Sequence, residues 1–510
     1  MTHIARHILA LALIITPATL SVWAQATQRL EMQDTLQADQ LLTVAWNNPA
    51  VMQLARSTST SSVGGAWTVS DQNDNDSDRP MLDVQQGDYS RVWTLGARTH
   101  IKHGGSTLWG HANYENGFTR GMSWNETSDL DMVYPYVLAD SVTSSRLKME
   151  RYSFGGGYAD NNGNLYWGAT IDYTAGLHYR SVDPRPRNVI SDLNISAGIG
   201  KVVRGTHVAA VALHFKKYKQ TNNVAFYSEL GHDKIFHLTG LTNDYGRFAG
   251  TGEASYYNGY RWGATANLHP VMQQGLTLAV TASRLAFDNI LTTLNELPLA
   301  HVTHNAITGE LGWLSRNWGV RGVINASRRV GTENVFGDAA SAVYPQIGSN
   351  DMYHENRFGL LVDGSWSRQL SPQLLTTVHP FVAYNHRNQI YADPQCQWQL
   401  NDVTWGTRLH AATSMGRFMP ALSLGATMVN LVDSRFMVNQ VKDELQGLLR
   451  AQEATFDYVS HFNWRFDALL SLQVAVKGRQ AIHLDAGSQW AFYRHSLTVW
   501  QPQLSLAYLF

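Results

Sequence analysis

The chain closes on QPQLSLAYLF, residues 501–510. Leu504, Leu506, Tyr508 and Phe510 fall on one side of that run, and Gln503, Ser505 and Ala507 on the other. An extended strand turns such a two-residue alternation into one apolar and one polar face. The same period recurs upstream from about residue 90. Leu165, Trp167, Ala169, Ile171 and Tyr173 oppose Gly168, Thr170, Asp172 and Thr174. Trp318, Val320, Gly322, Ile324 and Ala326 oppose Arg321, Asn325 and Ser327, while Val403, Trp405, Leu409 and Ala411 oppose Arg408 and His410. These segments run about 10 to 15 residues, beyond the ~5 to 6 of globular strands and long enough to cross a bilayer at a tilt. Aromatic residues gather near segment ends, at Trp93, Trp109, Tyr260, Trp262, Trp313, Trp318 and Trp366, where the girdles of a membrane barrel lie. A soluble β-sandwich or propeller would also alternate, but no blade-like repeat is present.

The joints between segments alternate in length. Short ones fall at His103 to Ser106, Asp160 to Gly163, Arg204-Gly205, His269 to Gly275, Arg316-Asn317, Leu370 to Gln373, Met415 to Arg417, and Asp467. Long ones fall near 71–88, 125–145, 181–190, 223–245, 294–302, 332–355, 391–399, 433–453 and 482–489. Eight short joints and nine long ones make 17 connections and predict 18 strands. The weakest stretch is 223–268, so 16 or 20 strands stay open. The predicted fold is all-β: a transmembrane antiparallel β-barrel of about 18 strands over residues 63–510.

Composition agrees. Charged residues are 15%, with Lys+Arg 39 against Asp+Glu 40, and mean hydropathy is −0.24. A net charge of −1 excludes a protein held by nucleic acid, which needs a basic surplus. Every second strand residue meets lipid and carries no charge, and its neighbours face a lumen made polar by Gly, Ser, Thr and Asn. Cys396 is the single cysteine, so neither an internal disulfide nor a cysteine-based zinc site can form. The opening MTHIARHILALALIITPATLSVWAQA has a basic start, an apolar run too short to span a membrane, and small residues at Ala24 and Ala26. It reads as a signal peptide over residues 1–24, which directs export to the cell outer membrane.

Residues 25–62 remain as a short helical plug. Leu41, Leu42, Ala45 and Trp46, then Val51, Met52, Leu54 and Ala55, have helix-compatible spacing, broken by Asn47-Asn48-Pro49. A wide barrel would otherwise leave an aqueous channel. The tract DQNDNDSD at 71–78 begins with calcium-loop spacing but has Asp76 where glycine is needed and Leu82 where a bidentate glutamate is needed, so it reads as a solvated loop. His100 with His103, and His301 with His304, are three apart and point to opposite faces of a strand, so no metal site or other cofactor is expected. No GxSxG or HExxH motif occurs, and no enzyme is expected. Arg321, Asp363, Arg408 and His410 are the candidates for lumen-lining groups that set what passes.

Asn48, Pro49 and Ala50 resemble the NPA element in the N-terminal hatch of long-chain fatty-acid-transporter-like barrels. From the N-terminal helix through Phe510, the chain is similar to a Bacteroidetes outer-membrane β-barrel family of unassigned function. Fatty-acid transporters of this type are expected to have 14 strands, which separates them from the count here. The terminal strand, with Leu504, Leu506, Tyr508 and Phe510, resembles the insertion signal read by the bacterial barrel-assembly machinery, which implies that machinery as a partner during insertion and the lipid bilayer thereafter. The expected function is a channel or transporter for a small or partly apolar solute. The alternative is a non-transporting accessory barrel that docks a secretion, assembly or uptake complex through an envelope protein partner.

Overall fold

The computed structural model describes residues 41–55, 59–73, 81–142, 146–229, 234–248, 254–272, 274–339, 343–478 and 480–510. The signal peptide, residues 25–40 of the plug and positions 74–78 of the acidic tract lie outside them. The strands are β1 (Thr60–Asn73), β2 (Tyr89–His103), β3 (Ser106–Arg120), β4 (Val137–Ala139), β5 (Leu147–Asn162), β6 (Leu165–Tyr179) and β7 (Arg185–Val203). They continue as β8 (His207–Ala225), β9 (Phe236–Gly240), β10 (Asn243–Asp244), β11 (Ala254–Pro270), β12 (Gly275–Leu291), β13 (Leu297–Leu314) and β14 (Trp318–Phe336). The last are β15 (Gln346–Ser371), β16 (Leu374–Tyr391), β17 (Cys396–Thr413), β18 (Phe418–Met437), β19 (Asn463–Lys477), β20 (Gln480–Phe492) and β21 (Thr498–Leu509). Two α-helices are described, α1 (Leu130–Val133) and α2 (Gln446–Val459).

Eighteen of these strands form one sheet; β4, β9 and β10 form a second, three-stranded one. Each barrel strand runs antiparallel to its neighbours, and β1 pairs with β21 from Ser62↔Leu509 to Asn73↔Thr498, which closes the sheet. Closure leaves no unpaired strand edge, as hydrocarbon requires. The final seam is zipped by Ser61 N–H to the Phe510 carbonyl and Phe510 N–H to the Ser61 carbonyl, both at 2.9 Å.

The alternation has the predicted sense. Leu165, Trp167 and Ile171 point outward and exposed, as do Leu504, Leu506, Tyr508 and Phe510, while Ser505, Ala507 and Leu509 are buried inward. On β14 the exposed outward residues run from Trp318 through Val320 and Ile324 up to Arg328. At the tilt of a barrel strand the ten steps from Trp318 to Arg328 cover about 25 Å, the height of a lipid-facing band. No helix among the described residues is long and apolar enough to cross a membrane.

One hairpin differs from its prediction. Asp467 lies in the middle of β19, and the short turn follows Lys477; residues 482–489 belong to β20, and the last long joint is at 493–497. An aspartate inside an apolar run reads as a turn from sequence, but here it faces the lumen opposite Arg408 on β17. One joint of each class moved, so the count of strands was unaffected.

Candidate functional site

Two bodies fold inward against the barrel wall. The first is the plug, at the short-turn end. A 3-10 turn at Ala45–Asn47 is followed by a 3-10 helix at Pro49–Leu54. Asn48 supplies the cap: its side chain accepts the Ala50 N–H at 3.0 Å, and Pro49 takes the first helical position, where a missing N–H costs nothing. Leu41, Leu42, Val44 and Ala45 bury themselves against Ala279 and Leu314 of the wall. Val51 and Leu54 pack on Tyr166, Val208 and Ala210. Glycines on the inner wall make room. A Cβ on Gly168 would stand 2.5 Å from the Pro49 carbonyl oxygen, and one on Gly198 would overlap the Asn48 side chain.

A single carboxylate anchors the plug's leading turn. Glu310 on β13, 2% exposed, accepts the Thr43 and Val44 N–H groups at 2.9 and 3.1 Å, the Ala45 N–H at 3.4 Å, and the Thr43 hydroxyl at 3.2 Å. Successive N–H groups of an opening turn form a natural anion cradle. Arg321 on β14 balances the charge, 3.4 Å from Glu310 and paired with Asp363 through Nε at 2.9 Å and Nη2 at 2.6 Å. At the other end, Lys102 Nζ donates to the Gln53 and Ala55 carbonyls at 2.8 and 3.2 Å, satisfying the end of the helix. Between them, Asn267 bridges the Asn48 side chain and the Ala45 carbonyl.

Of the predicted lumen residues, Arg321 and Asp363 therefore form the plug's seat and are not free pore lining. Arg408 on β17 lies 3.2 Å from Asp467 on β19, across Gly425 of β18, and His410 meets Ser423 at 2.7 Å. Asn48, Pro49 and Ala50 sit in the plug against β6 and β7. Sequence reasoning missed Glu310. Its signal was a carboxylate on the inward face of a strand whose neighbours are small or apolar.

The second body is built by the long loops. β4 pairs with β9, and β9 with β10, giving a small sheet inside the barrel mouth. Val137 and Phe236 of that sheet pack with Trp124, Leu445 and Leu448, which fixes α2 over it. Tyr136 is fully buried against Tyr218, Tyr257 and Phe287 of the wall. Polar ties reinforce the seat: Tyr257 donates to the Tyr136 carbonyl at 2.6 Å, Arg329 to the Asp131 and Tyr134 carbonyls at 2.9 Å, and Arg180 pairs with Glu126 at 3.1 Å. His237 on β9 is buried in this sheet, and burial pushes its imidazole down to about 4.

The plug leans chiefly on β5–β8, β11 and β12, whereas the loop body reaches from β8 and β11–β13 round to β15–β18, β20 and β21. The wall made by β1–β3 and β21 keeps a cavity of about 310 Å³. Its two ends differ in chemistry. Met122, Leu130, Leu147 and Met149 line it toward the loops beside Asp129 and Arg151, Glu115 lies midway, and Arg98, Asn113, Asp485 and Gln503 line it deeper in the barrel. Arg98 has no carboxylate within ion-pair distance among the described residues. Arg151, also lining the cavity, is bound to Asp129 at 3.0 Å. Among the described residues there is no group of three or more His, Cys, Asp or Glu side chains arranged to hold a metal ion.

A model of a family of unknown function, DUF6850, matches residues 49–510. No curated protein matches the sequence. Among solved structures, CdiB from Acinetobacter baumannii is similar at a TM-score of 0.37 and 7% identity, over 88% of this chain and 60% of that one. This chain thus spans about three-fifths of CdiB's length. BauA, the ferric preacinetobactin receptor of Acinetobacter baumannii, gives 0.40 and 10% over 88% and 80%. The toluene transporter TbuX of Ralstonia pickettii gives 0.30 and 10% over 91% and 92%. The barrel described above stands on its own strand pairing and takes nothing from likenesses at this level.

Proposed function

From a chain that belongs to this family of unknown function, DUF6850, we propose an outer-membrane barrel that carries a small amphipathic solute along its β1–β3 wall. The observation that supports this reading is the cavity between the β1–β3 wall and the loop layer, with an apolar patch toward the loops and Arg98 deeper in. A ligand pocket with an apolar body and a few polar groups fixes one orientation of its ligand. Here the apolar end of a solute lies against Leu147 and Met149 and its polar head points toward Arg98. An unpaired guanidinium favours a carboxylate or another anionic head. The long loops face the exterior and the short turns the periplasm, the usual sidedness of such barrels. The path then runs from the loop layer past Arg98 to the plug.

Flux through proteoliposomes tests the reading. A Glu310→Ala, Arg329→Gln double variant loosens both bodies, and short-chain carboxylates are compared with a sugar of similar size. Faster passage of the carboxylate, lost when Arg98→Gln is added, supports the proposal. Equal passage of both solutes, or a preference that survives Arg98→Gln, refutes it.

A further inference from the structure

The outward face of the barrel carries an unusual arc. Nine to eleven residues above the short turns, at the upper edge of the lipid-facing band, most strands expose an aromatic or apolar residue: Trp93 on β2, Tyr152 on β5, Met428 on β18, Phe466 on β19 and Trp500 on β21. Of the barrel strands β8, β11, β12, β13 and β14, three carry a cation at the same height, while β11 presents Tyr260 and β13 presents Asn305. Arg284 lies nine residues into β12, Arg328 ten residues into β14, and Lys217 ten residues into β8. Their strand neighbours Leu285, Arg329 and Tyr218 are buried inward, so all three side chains point toward lipid. Among the described residues, none of the three has a carboxylate within ion-pair distance. Lys217 instead lies over the Tyr260 ring, 3.6 Å from its centroid.

Register fixes the spacing. Arg284 pairs directly with Asn305, and Asn305 with Arg328. The two arginines are therefore two strands apart, about 9.5 Å between backbones, with an amide donor between them. Below them Ala282 and Ala326 point outward on either side of Ile307, leaving shallow places in the wall beside it, with the bulkier Trp262 and Leu213 beyond Ala282. The surface is a depression with an apolar floor and a cationic rim.

We propose that this arc binds one phosphorylated glycolipid of the outer leaflet, with its two phosphates on Arg284 and Arg328, Lys217 at the margin, and an acyl chain over Ala282 and Ala326. Guanidinium groups bind phosphate through paired, charge-assisted hydrogen bonds, and a desolvated phosphate at the membrane boundary supplies the counter-charge the protein lacks. Two arginines held at a fixed separation select a headgroup that carries two phosphates over a phospholipid that carries one.

Native mass spectrometry of the full chain in detergent tests this, with diphosphoryl lipid A, monophosphoryl lipid A and phosphatidylglycerol as probes. Diphosphoryl lipid A should bind one molecule per chain and at least about tenfold tighter than either other lipid. Arg284→Gln with Arg328→Gln should remove that preference, while heat-modifiable gel migration confirms a folded barrel. Lys217→Gln, a milder variant, should weaken binding less. Equal binding of phosphatidylglycerol overturns the proposal, as does unchanged binding by the folded double variant. So does a finding that the arginines hold two copies of the chain together, seen as loss of a dimer with no change in bound lipid.

Discussion

Replacing Glu310 with alanine tests how the plug is held. The carboxylate accepts three backbone N–H groups and one hydroxyl from Thr43–Ala45, and Arg321 Nη1 also donates to the Thr43 hydroxyl at 3.1 Å. Removing one partner of a buried charged set costs about 3 to 5 kcal/mol when an uncompensated charge is left behind. Arg321 retains its two bonds to Asp363, so the loss falls at the lower end, about 3 kcal/mol, and lies on the plug's docking. That shifts the docked-to-released ratio about a hundredfold. Glu310→Gln keeps one acceptor oxygen and should cost about 1 kcal/mol, a several-fold shift. Maleimide labelling of Met52→Cys reads the released population, in a Cys396→Ser background because Cys396 is the native thiol. The expected order of labelling rates is Ala above Gln above Glu. An alanine variant that labels within twofold of the parent would refute the assignment of Glu310 as the anchor, because the plug would then be held by its apolar contacts and by Asn267, Lys102 and Arg321.

Further expectations concern other contacts. Gly168→Val should push the plug off β6, costing about 1 to 3 kcal/mol as an overpacked site and raising Met52→Cys labelling. Gly309→Ala, whose Cβ meets open space, should leave labelling unchanged. Deleting Phe510 removes two seam hydrogen bonds, about 2 kcal/mol, and should lower the yield of heat-modifiable barrel in cells. His237 gives the loop layer a pH dependence. Its folded value near 4 lies below the ordinary 6.5, so its contribution is present above pH 6.5 and lost as pH falls toward 4. The full loss is about 3 kcal/mol, read as protease cleavage within residues 234–245, and His237→Gln should abolish the pH response.

The barrel was legible because a period of two is a local signal. Each run carries its own faces, and the terminal Leu504 to Phe510 strand turns them as expected. What the period cannot tell is how deep an inward residue sits or what meets it. Arg321 and Arg408 look alike in sequence, two arginines on polar faces of alternating strands. Arg321 is 1% exposed beneath the plug, while Arg408 is about a third exposed beside Asp467. The difference lies in partners far along the chain: Thr43 and Glu310 are 267 residues apart. The loop layer was illegible for the same reason, since its small sheet joins residues 137–139 to 236–240. Long polar joints read as solvated loops, yet Tyr136 and Phe236 are among the most buried residues of the molecule.

The plug packs at the short-turn end and the loop layer inside the barrel mouth, and that arrangement sets a further test. The plug's anchor, Glu310 with Thr43–Ala45, and the loop layer's ties at Arg329 and Tyr257 share no residue. Contacts that share no partner and lie well apart add in free energy, so the probabilities of opening multiply. Glu310→Ala at neutral pH releases the plug and leaves the loop layer closed; low pH alone does the reverse. Conductance across a planar bilayer needs both open at once. Glu310→Ala should therefore show little current at pH 7 and a steep rise toward pH 4.5, larger than the sum of the two separate effects. His237→Gln added to Glu310→Ala should flatten that rise. Full conductance from Glu310→Ala at pH 7 would mean that the loop layer, despite its buried packing, does not obstruct the path along the β1–β3 wall.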